Sequence, residues 1–305
     1  MTTAIPNLFI VGAPKCGTTS LYEYLRRQPQ IFFPHNQDTL GRAKEPNHFC
    51  PELEITARYS IKDRDEYLAL YRGSEDAIWR GDASTNYLIS EVAPASIKQV
   101  SPDARVLVML RPPVDMMHSY HSELVRHGHE DILDFYEAVA ASAERRNGLR
   151  MPPKTGVPRC LDYFAISRFA PQVERYLRVF GRDAVKIVLL EEMATAHEET
   201  LRGIMEFLGL AEPVFDEFRV YNETPRHGRL ERFVKRVYAH ASVKRMTQTL
   251  LPYEARRRIL ALLRRTERGI ARVDARDETL RRSCRADVDR LSSLIGRDLS
   301  HWQPH

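Results

Sequence analysis

The chain has 305 residues, 43% of them hydrophobic and 29% charged, and a formal net charge of +5 at pH 7. This length and apolar content allow a sizeable core, in one large domain or two smaller ones, and no internal repeat or low-complexity tract interrupts the sequence. No apolar run approaches the roughly 18 residues of a membrane-spanning helix. The four scattered cysteines lack C-x-x-C spacing, which argues against a disulfide framework or a zinc site. Only seven residues precede the first predicted strand, so we expect no signal or transit peptide and a cytoplasmic location.

The first predicted element is a strand that ends in a loop suited to an anion. The apolar residues Leu8–Val11 precede the turn Gly12–Gly17, after which Thr18 and Thr19 open an amphipathic helix. Free N–H groups and the positive dipole end of a helix attract anions, and Lys15 adds a positive charge. The lysine lies two residues before the second glycine, whereas the ATP-binding loop G-x-x-x-x-G-K-[ST] carries it directly after that glycine. The sequence therefore predicts a phosphate-binding loop that differs from the standard ATP-binding loop.

A second predicted strand-to-helix connection brings an arginine towards a serine. The apolar run Val106–Leu110 predicts a buried parallel strand. Arg111 stands at its carboxyl end, where ligands of open α/β sheets bind. The following prolines suit the first turn of a helix that extends to Gly128, and Ser119 lies one to two turns into it. An arginine fork with a serine hydroxyl suits a second phosphate group.

The later elements continue the alternation of strands and helices. Val185–Leu190 predicts a strand followed by Glu191, and His197–Leu208 predicts a helix that Gly209 caps. This alternation favours an α/β fold. Four histidines between positions 118 and 129 lack the carboxylate spacing of a metal motif, so we predict no metal site.

Positive charge is concentrated near the carboxyl terminus. Residues 226–305 carry 20 Lys and Arg against 9 Asp and Glu, whereas residues 1–225 carry 26 against 32. We expect a basic helical subdomain over 229–290 within a single domain spanning 1–305. Three interpretations of these helices stay open: a solvated basic face, a surface that attracts an acidic acceptor, and a surface that docks on anionic membrane lipid. No recognised nucleic-acid reader motif accompanies the charge, so we predict no nucleic-acid partner.

The two anion motifs together resemble those of sulfotransferases that use 3′-phosphoadenosine 5′-phosphosulfate (PAPS), in the style of the bacterial and carbohydrate enzymes. The segment G-A-P-K-C-G-T-T at 12–19 resembles their 5′-phosphosulfate loop, Arg111 and Ser119 resemble their 3′-phosphate site, and Leu294–Trp302 resembles their carboxyl-terminal signature. The resemblance implies a three-layer α/β sandwich with a mainly parallel central sheet and a P-loop-like phosphosulfate loop. It also implies PAPS as donor, 3′-phosphoadenosine 5′-phosphate (PAP) as product, and no required metal. The implied donor-binding residues are Lys15, Cys16, Gly17, Thr18, Thr19, Arg111, Ser119, Arg226 and Gly228.

The same resemblance suggests which residues catalyse transfer. Carbohydrate sulfotransferases carry K-E-x-[HQ]-F-F, with the glutamate as base, and the matching segment here is Lys44–Phe49. Glu45 is therefore the expected base, and Lys15 is expected to aid departure of the nucleotide phosphate. Cytosolic sulfotransferases of phenols and steroids use a histidine instead, which keeps His48 as a second candidate base.

One departure from the family pattern bears on the acceptor. Glycosaminoglycan enzymes carry E-K-T-P-x-Y after this motif, with a lysine near the sulfate, and that lysine is Ala83 in this chain. This argues against a glycosaminoglycan acceptor and leaves a smaller carbohydrate, a glycolipid or a metabolite open as acceptor. Two alternatives stay open: a P-loop nucleotide kinase, with Glu191 near the magnesium ion, and a non-enzymatic module that binds membranes or polyanions through its basic helices.

Overall fold

The computed structural model describes residues 4–35, 42–153, 157–210 and 275–303, all of which belong to one compact unit. Its centre is a sheet of five parallel strands in the order β2-β3-β1-β4-β5. The strands are β1 (Leu8–Ile10), β2 (Ile31–Phe32), β3 (Trp79–Asp82), β4 (Arg105–Leu110) and β5 (Val185–Leu189). The predicted α/β fold with a mainly parallel central sheet is confirmed.

Eleven helices are present in the described ranges, and we number them in chain order. They are α1 (Thr18–Leu25), α2 (Arg64–Ala69), α3 (Ala93–Val100), α4 (Pro113–His127), α5 (Phe135–Ala140), α6 (Ser142–Arg146), α7 (Tyr163–Ser167), α8 (Phe169–Phe180), α9 (Leu190–Thr195), α10 (His197–Phe207) and α11 (Ala275–Ile295). Short 3₁₀ turns occupy Pro51–Leu53, Thr85–Tyr87, Pro158–Leu161, Arg182–Ala184 and Ser300–Trp302.

The sheet is covered on both faces, as a parallel sheet requires. The chain crosses the sheet in one direction from β1 to β2 and in the opposite direction from β3 to β4. Because both crossovers are right-handed, the helices in these two connections lie on opposite faces of the sheet. On one side, Tyr24 of α1 contacts His197 of α10. On the other side, α8 packs against α3 and α11, and α11 also packs against α4. The strands β1 and β4 are the buried centre of the core.

The strand order sets the position of the site. The chain leaves β1 towards β2 on one side and later crosses to β4 on the other side. Open α/β sheets bind ligands at such a switch point, outside the carboxyl ends of the strands. The segments 11–17 and 111–112 follow the ends of β1 and β4, so both predicted anion motifs lie at this edge.

Several predicted bounds differ from the structure by a single residue. The helix predicted at His197–Leu208 ends at Phe207, and the strand predicted at Val106–Leu110 begins at Arg105. The predicted strand at Val185–Leu190 ends at Leu189, because Leu190 begins α9. The predicted strand at Leu8–Val11 ends at Ile10. Of the predicted basic subdomain, residues 229–274 lie outside the described ranges, and residues 275–290 form part of α11.

Candidate active site

The loop between β1 and α1 is fixed to the neighbouring strand by its backbone. Ala13 N–H donates to the Met109 carbonyl at 2.7 Å, and Met109 N–H donates to the Gly12 carbonyl at 2.7 Å. Gly17 then takes a left-handed conformation (φ 86°) and α1 begins at the next residue, Thr18. The first N–H groups of a helix have no carbonyl partner inside it, so this turn presents donors at the end of β1.

Arg111 joins the loop from the end of β4. Its Nη1 donates to the Lys15 carbonyl at 3.2 Å. Its Nε is buried and has no hydrogen-bond partner among the described residues. Cys16 packs beside it, and burial raises the pKa of the Cys16 thiol to about 12, although Arg111 acts to lower it. The structure therefore brings the first anion motif and Arg111 into direct contact.

The helix α4 carries the predicted Ser119 and supplies one further group, Glu123, to the loop. Ser119 is buried on it, within two turns of its start at Pro113. Glu123, one turn further, forms an ion pair with Lys15, whose side chain is 13% exposed. Glu123 is not among the residues predicted from the sequence, although its spacing of four residues from Ser119 puts both on one helix face.

Glu45 is connected to the loop by a chain of hydrogen bonds. Lys44 Nζ lies 3.2 Å from Thr19 Oγ1 and 2.6 Å from Glu45 Oε1. On the other side, Thr85 Oγ1 donates to Glu45 Oε2 at 3.0 Å. Both carboxylate oxygens are thus oriented, and the Glu45 side chain stays 31% exposed. A reactant proton could reach such a carboxylate.

The backbone of the Glu45 segment is held by an asparagine. Asn47 Nδ2 donates to the carbonyls of Glu45 and Tyr59, both at 2.9 Å. Asn47 N–H donates to Ser84 Oγ at 2.9 Å, and its φ of 50° lies in the left-handed region, which asparagine adopts more readily than most residues. The position that carries His or Gln in the family motif is therefore a backbone clamp in this chain.

His48 contacts a different part of the structure. Its Nδ1 lies 2.9 Å from the Ile61 carbonyl, and its ring stacks on Tyr67 with centroids 4.2 Å apart. Burial lowers the pKa of His48. The hydrogen bonds from Thr19 through Lys44 end on the Glu45 carboxylate, whereas the His48 ring is bonded to the Ile61 carbonyl.

The remaining predicted positions fall elsewhere. Arg226 and Gly228 lie outside the described residues. Ala83 is fully buried directly after β3, and its N–H donates to the Lys44 carbonyl at 3.1 Å.

No cluster of three or more metal-ligating side chains occurs in the described ranges. No described helix has the length and apolar character needed to cross a membrane.

Glu191, the acid that a kinase would require, is bound by the carboxyl-terminal segment. Trp302 Nε1 donates to Glu191 Oε1 at 2.7 Å, and His301 Nε2 lies 3.0 Å from the same oxygen. Arg297 pairs with the neighbouring Glu192 at 3.0 Å. The predicted carboxyl-terminal signature thus covers the acidic residues at the start of α9.

Comparison with known proteins decides the family. The model of the sulfotransferase domain matches residues 6–247. The chain belongs to the sulfotransferase family. A sulfotransferase of Alicyclobacillus acidocaldarius has a similar structure, with 30% identity, a TM-score of 0.64, and coverage of 98% of this chain and 99% of that one.

Curated relatives of this sulfotransferase are larger proteins. It is 25% identical over 213 residues to the human bifunctional heparan sulfate N-deacetylase/N-sulfotransferase 3, and 24% identical over 256 residues to rat carbohydrate sulfotransferase 15. Each match covers 68% of this chain, but only 22% and 44% of the respective relatives.

Proposed function

We propose that the chain transfers a sulfuryl group from PAPS to a hydroxyl or amine of a carbohydrate, glycolipid or small-metabolite acceptor. The observation that carries this proposal is Arg111, which touches the Lys15 loop and keeps a buried Nε without a partner among the described residues. A buried guanidinium N–H costs free energy unless it meets an acceptor, and a phosphate suits its fork geometry. The site therefore favours a second anionic group beside the loop.

PAPS fits this arrangement, because its ribose carries a phosphosulfate at the 5′ position and a phosphate at the 3′ position. When bound, it supplies an activated sulfuryl group. Lys15 and the amides of Cys16–Thr19 would hold the phosphosulfate, with Lys15 stabilising charge on the departing phosphate. Arg111 and Ser119 would hold the 3′-phosphate. Arg226 and Gly228 stay predicted contacts.

Glu45 is the group we assign as general base. It would accept the acceptor's proton on a carboxylate oxygen, and its contacts with Lys44 and Thr85 fix its orientation. The connection through Lys44 to Thr19 places it near the loop that would hold the donor. His48 is the second candidate, and its contacts with Ile61 and Tyr67 favour a structural role.

The names of the relatives support a carbohydrate acceptor. One is named for heparan sulfate and another for carbohydrate. The buried Ala83, in place of the lysine of glycosaminoglycan enzymes, argues for an acceptor with less negative charge. The class we favour is a neutral or weakly charged carbohydrate or glycolipid.

Transfer of labelled sulfate from PAPS tests the proposal across carbohydrate, glycolipid, phenolic, alkyl hydroxyl and amine acceptors. Without added metal, we expect transfer to at least one carbohydrate or glycolipid. Glu45→Gln should lower turnover by about 100-fold or more, the typical effect of losing a general base, while PAP binding changes little. Glu54→Gln, at an exposed glutamate nine positions later, is the matched control and should retain turnover. Turnover by Glu45→Gln at the wild-type rate would contradict the assignment and transfer the role to His48 or another residue.

A further inference from the structure

Lys44 is a second lysine at the loop, and the established family match assigns it no role. Its Nζ lies between the hydroxyl of Thr19 at 3.2 Å and the carboxylate of Glu45 at 2.6 Å. It also lies 5.7 Å from the centroid of the Tyr22 ring on α1, within the range of a cation–π contact. The side chain is 17% exposed. Three groups from two segments therefore fix one ammonium at the start of α1.

The position of Lys44 relates to the absent lysine at Ala83. Ala83 is fully buried, and its N–H donates to the Lys44 carbonyl at 3.1 Å. The two residues are thus backbone neighbours on adjacent segments, one apolar and the other cationic. Because Ala83 carries no charge, Lys44 is the residue of this pair that can supply a positive charge at this edge of the sheet.

We propose that Lys44 is a catalytic residue whose ammonium contacts the transferred sulfuryl group and supplies the positive charge that Ala83 does not provide. This inference rests on the proposed function. Thr19, which Lys44 contacts, lies in the first turn of α1 among the donors expected to hold the phosphosulfate. Glu45, its other partner, is the expected base, so the ammonium lies between the donor-binding and proton-accepting groups.

Each group has a separate role in the sulfuryl transfer step. The acceptor oxygen forms a bond to sulfur as the bond from sulfur to the bridging phosphate oxygen breaks, with its electron pair remaining on PAP. The acceptor proton passes to Glu45. Lys44 keeps its protons and donates hydrogen bonds to the non-bridging sulfuryl oxygens, and a cation fixed in advance stabilises charge there without reorganisation.

A purely structural role would limit Lys44 to orienting Glu45. The two roles differ in binding, because PAPS carries the sulfuryl group and PAP does not. We therefore compare the dissociation constants of PAPS and PAP, measured by calorimetry without acceptor, in the wild type, Lys44→Met, Lys44→Arg and Glu45→Gln. Lys62→Met, at an exposed lysine, is the matched control.

We expect Lys44→Met to weaken PAPS binding by about tenfold or more and to leave PAP binding within about threefold, the loss expected for a charged hydrogen bond. Lys44→Arg should recover part of the PAPS affinity, and Lys62→Met should leave the PAPS-to-PAP ratio unchanged. Glu45→Gln removes the carboxylate that pairs with Lys44, so it should not weaken PAPS binding relative to PAP. An unchanged ratio in Lys44→Met, or equal loss of both ligands, would overturn the proposal. Failure of the proposed function itself would appear differently, as a wild-type chain that binds neither nucleotide.

Discussion

Asp82 organises the segment that carries the candidate base. It is buried at the end of β3 and accepts hydrogen bonds from the hydroxyls of Tyr67, Tyr87 and Ser84 at 2.6–2.9 Å. Ser84 Oγ and the Tyr87 hydroxyl in turn accept the backbone N–H groups of residues 47 and 48. One buried carboxylate therefore holds the strand end and the base segment together.

The burial of Asp82 predicts a pH-dependent stability. Burial raises its pKa from 3.8 to about 6, although its hydrogen bonds act to lower it. A raised pKa means that the fold prefers the protonated carboxyl, so this contribution is complete below about pH 4 and is lost as pH rises to about 6. A shift of about two units corresponds to about 3 kcal/mol. The free energy of unfolding of Asp82→Asn, relative to wild type, should rise by up to this amount between pH 4 and 7 in urea titrations. A difference that stays constant over this range would contradict the prediction.

Single residues show how much of the candidate site could be predicted from the sequence. Lys15, Gly17 and Arg111 were found from local patterns, because a loop after a strand and a strand end define their own backbone geometry. Glu123 and the clamp formed by Asn47 were not found, because their partners come from distant parts of the chain. Lys15 and Glu123 are 108 residues apart, and only the folded sheet brings them together.

Among the elements, the connection from β1 to α1 is closely packed at Gly17. A Cβ atom on Gly17 would lie 2.6 Å from Leu190 Cδ1 on α9 and 3.3 Å from Met109 Cε on β4. The loop is thus packed between two neighbouring elements, and the positive φ of Gly17 adds strain to any other residue.

Gly17→Ala should therefore weaken both the fold and PAP binding. Gly73→Ala is the matched control, because Gly73 has a similar φ of 80° but no atom within 4 Å of its added Cβ. The control should cost about 1–2 kcal/mol from backbone strain alone, and Gly17→Ala should cost more. Urea unfolding and PAP calorimetry measure the two effects. Equal destabilisation of the two variants, with PAP affinity intact, would show that close packing of the loop is unimportant.

The elements were predicted to different degrees. The strand β4 and the helix α4 match the prediction to within one residue at each end. An apolar run, two prolines after it and a later glycine mark these ends in the sequence itself. The two-residue strand β2 was not predicted, since Ile31–Phe32 is too short to show a periodic pattern. The order of the parallel strands was also not predicted, because it depends on pairing between distant segments.

For the molecule as a whole, the described ranges contain the parallel sheet and seven of the nine predicted donor-binding residues, whose role stays a prediction. The basic segment 229–290 stays a prediction in its larger part, as do its docking on anionic lipid and the cytoplasmic location. Lys15 and Lys44 each pair with a glutamate, so these two pairs add no net charge at the loop.

Binding of PAP, measured by calorimetry in metal-free buffer, tests the central claim most directly. We expect PAP to bind without Mg²⁺, with little binding of Mg-ATP. Arg111→Met should abolish most of the PAP affinity, because the 3′-phosphate would lose its guanidinium partner. Preference of the wild-type chain for Mg-ATP over PAP would contradict the account and favour a nucleotide kinase.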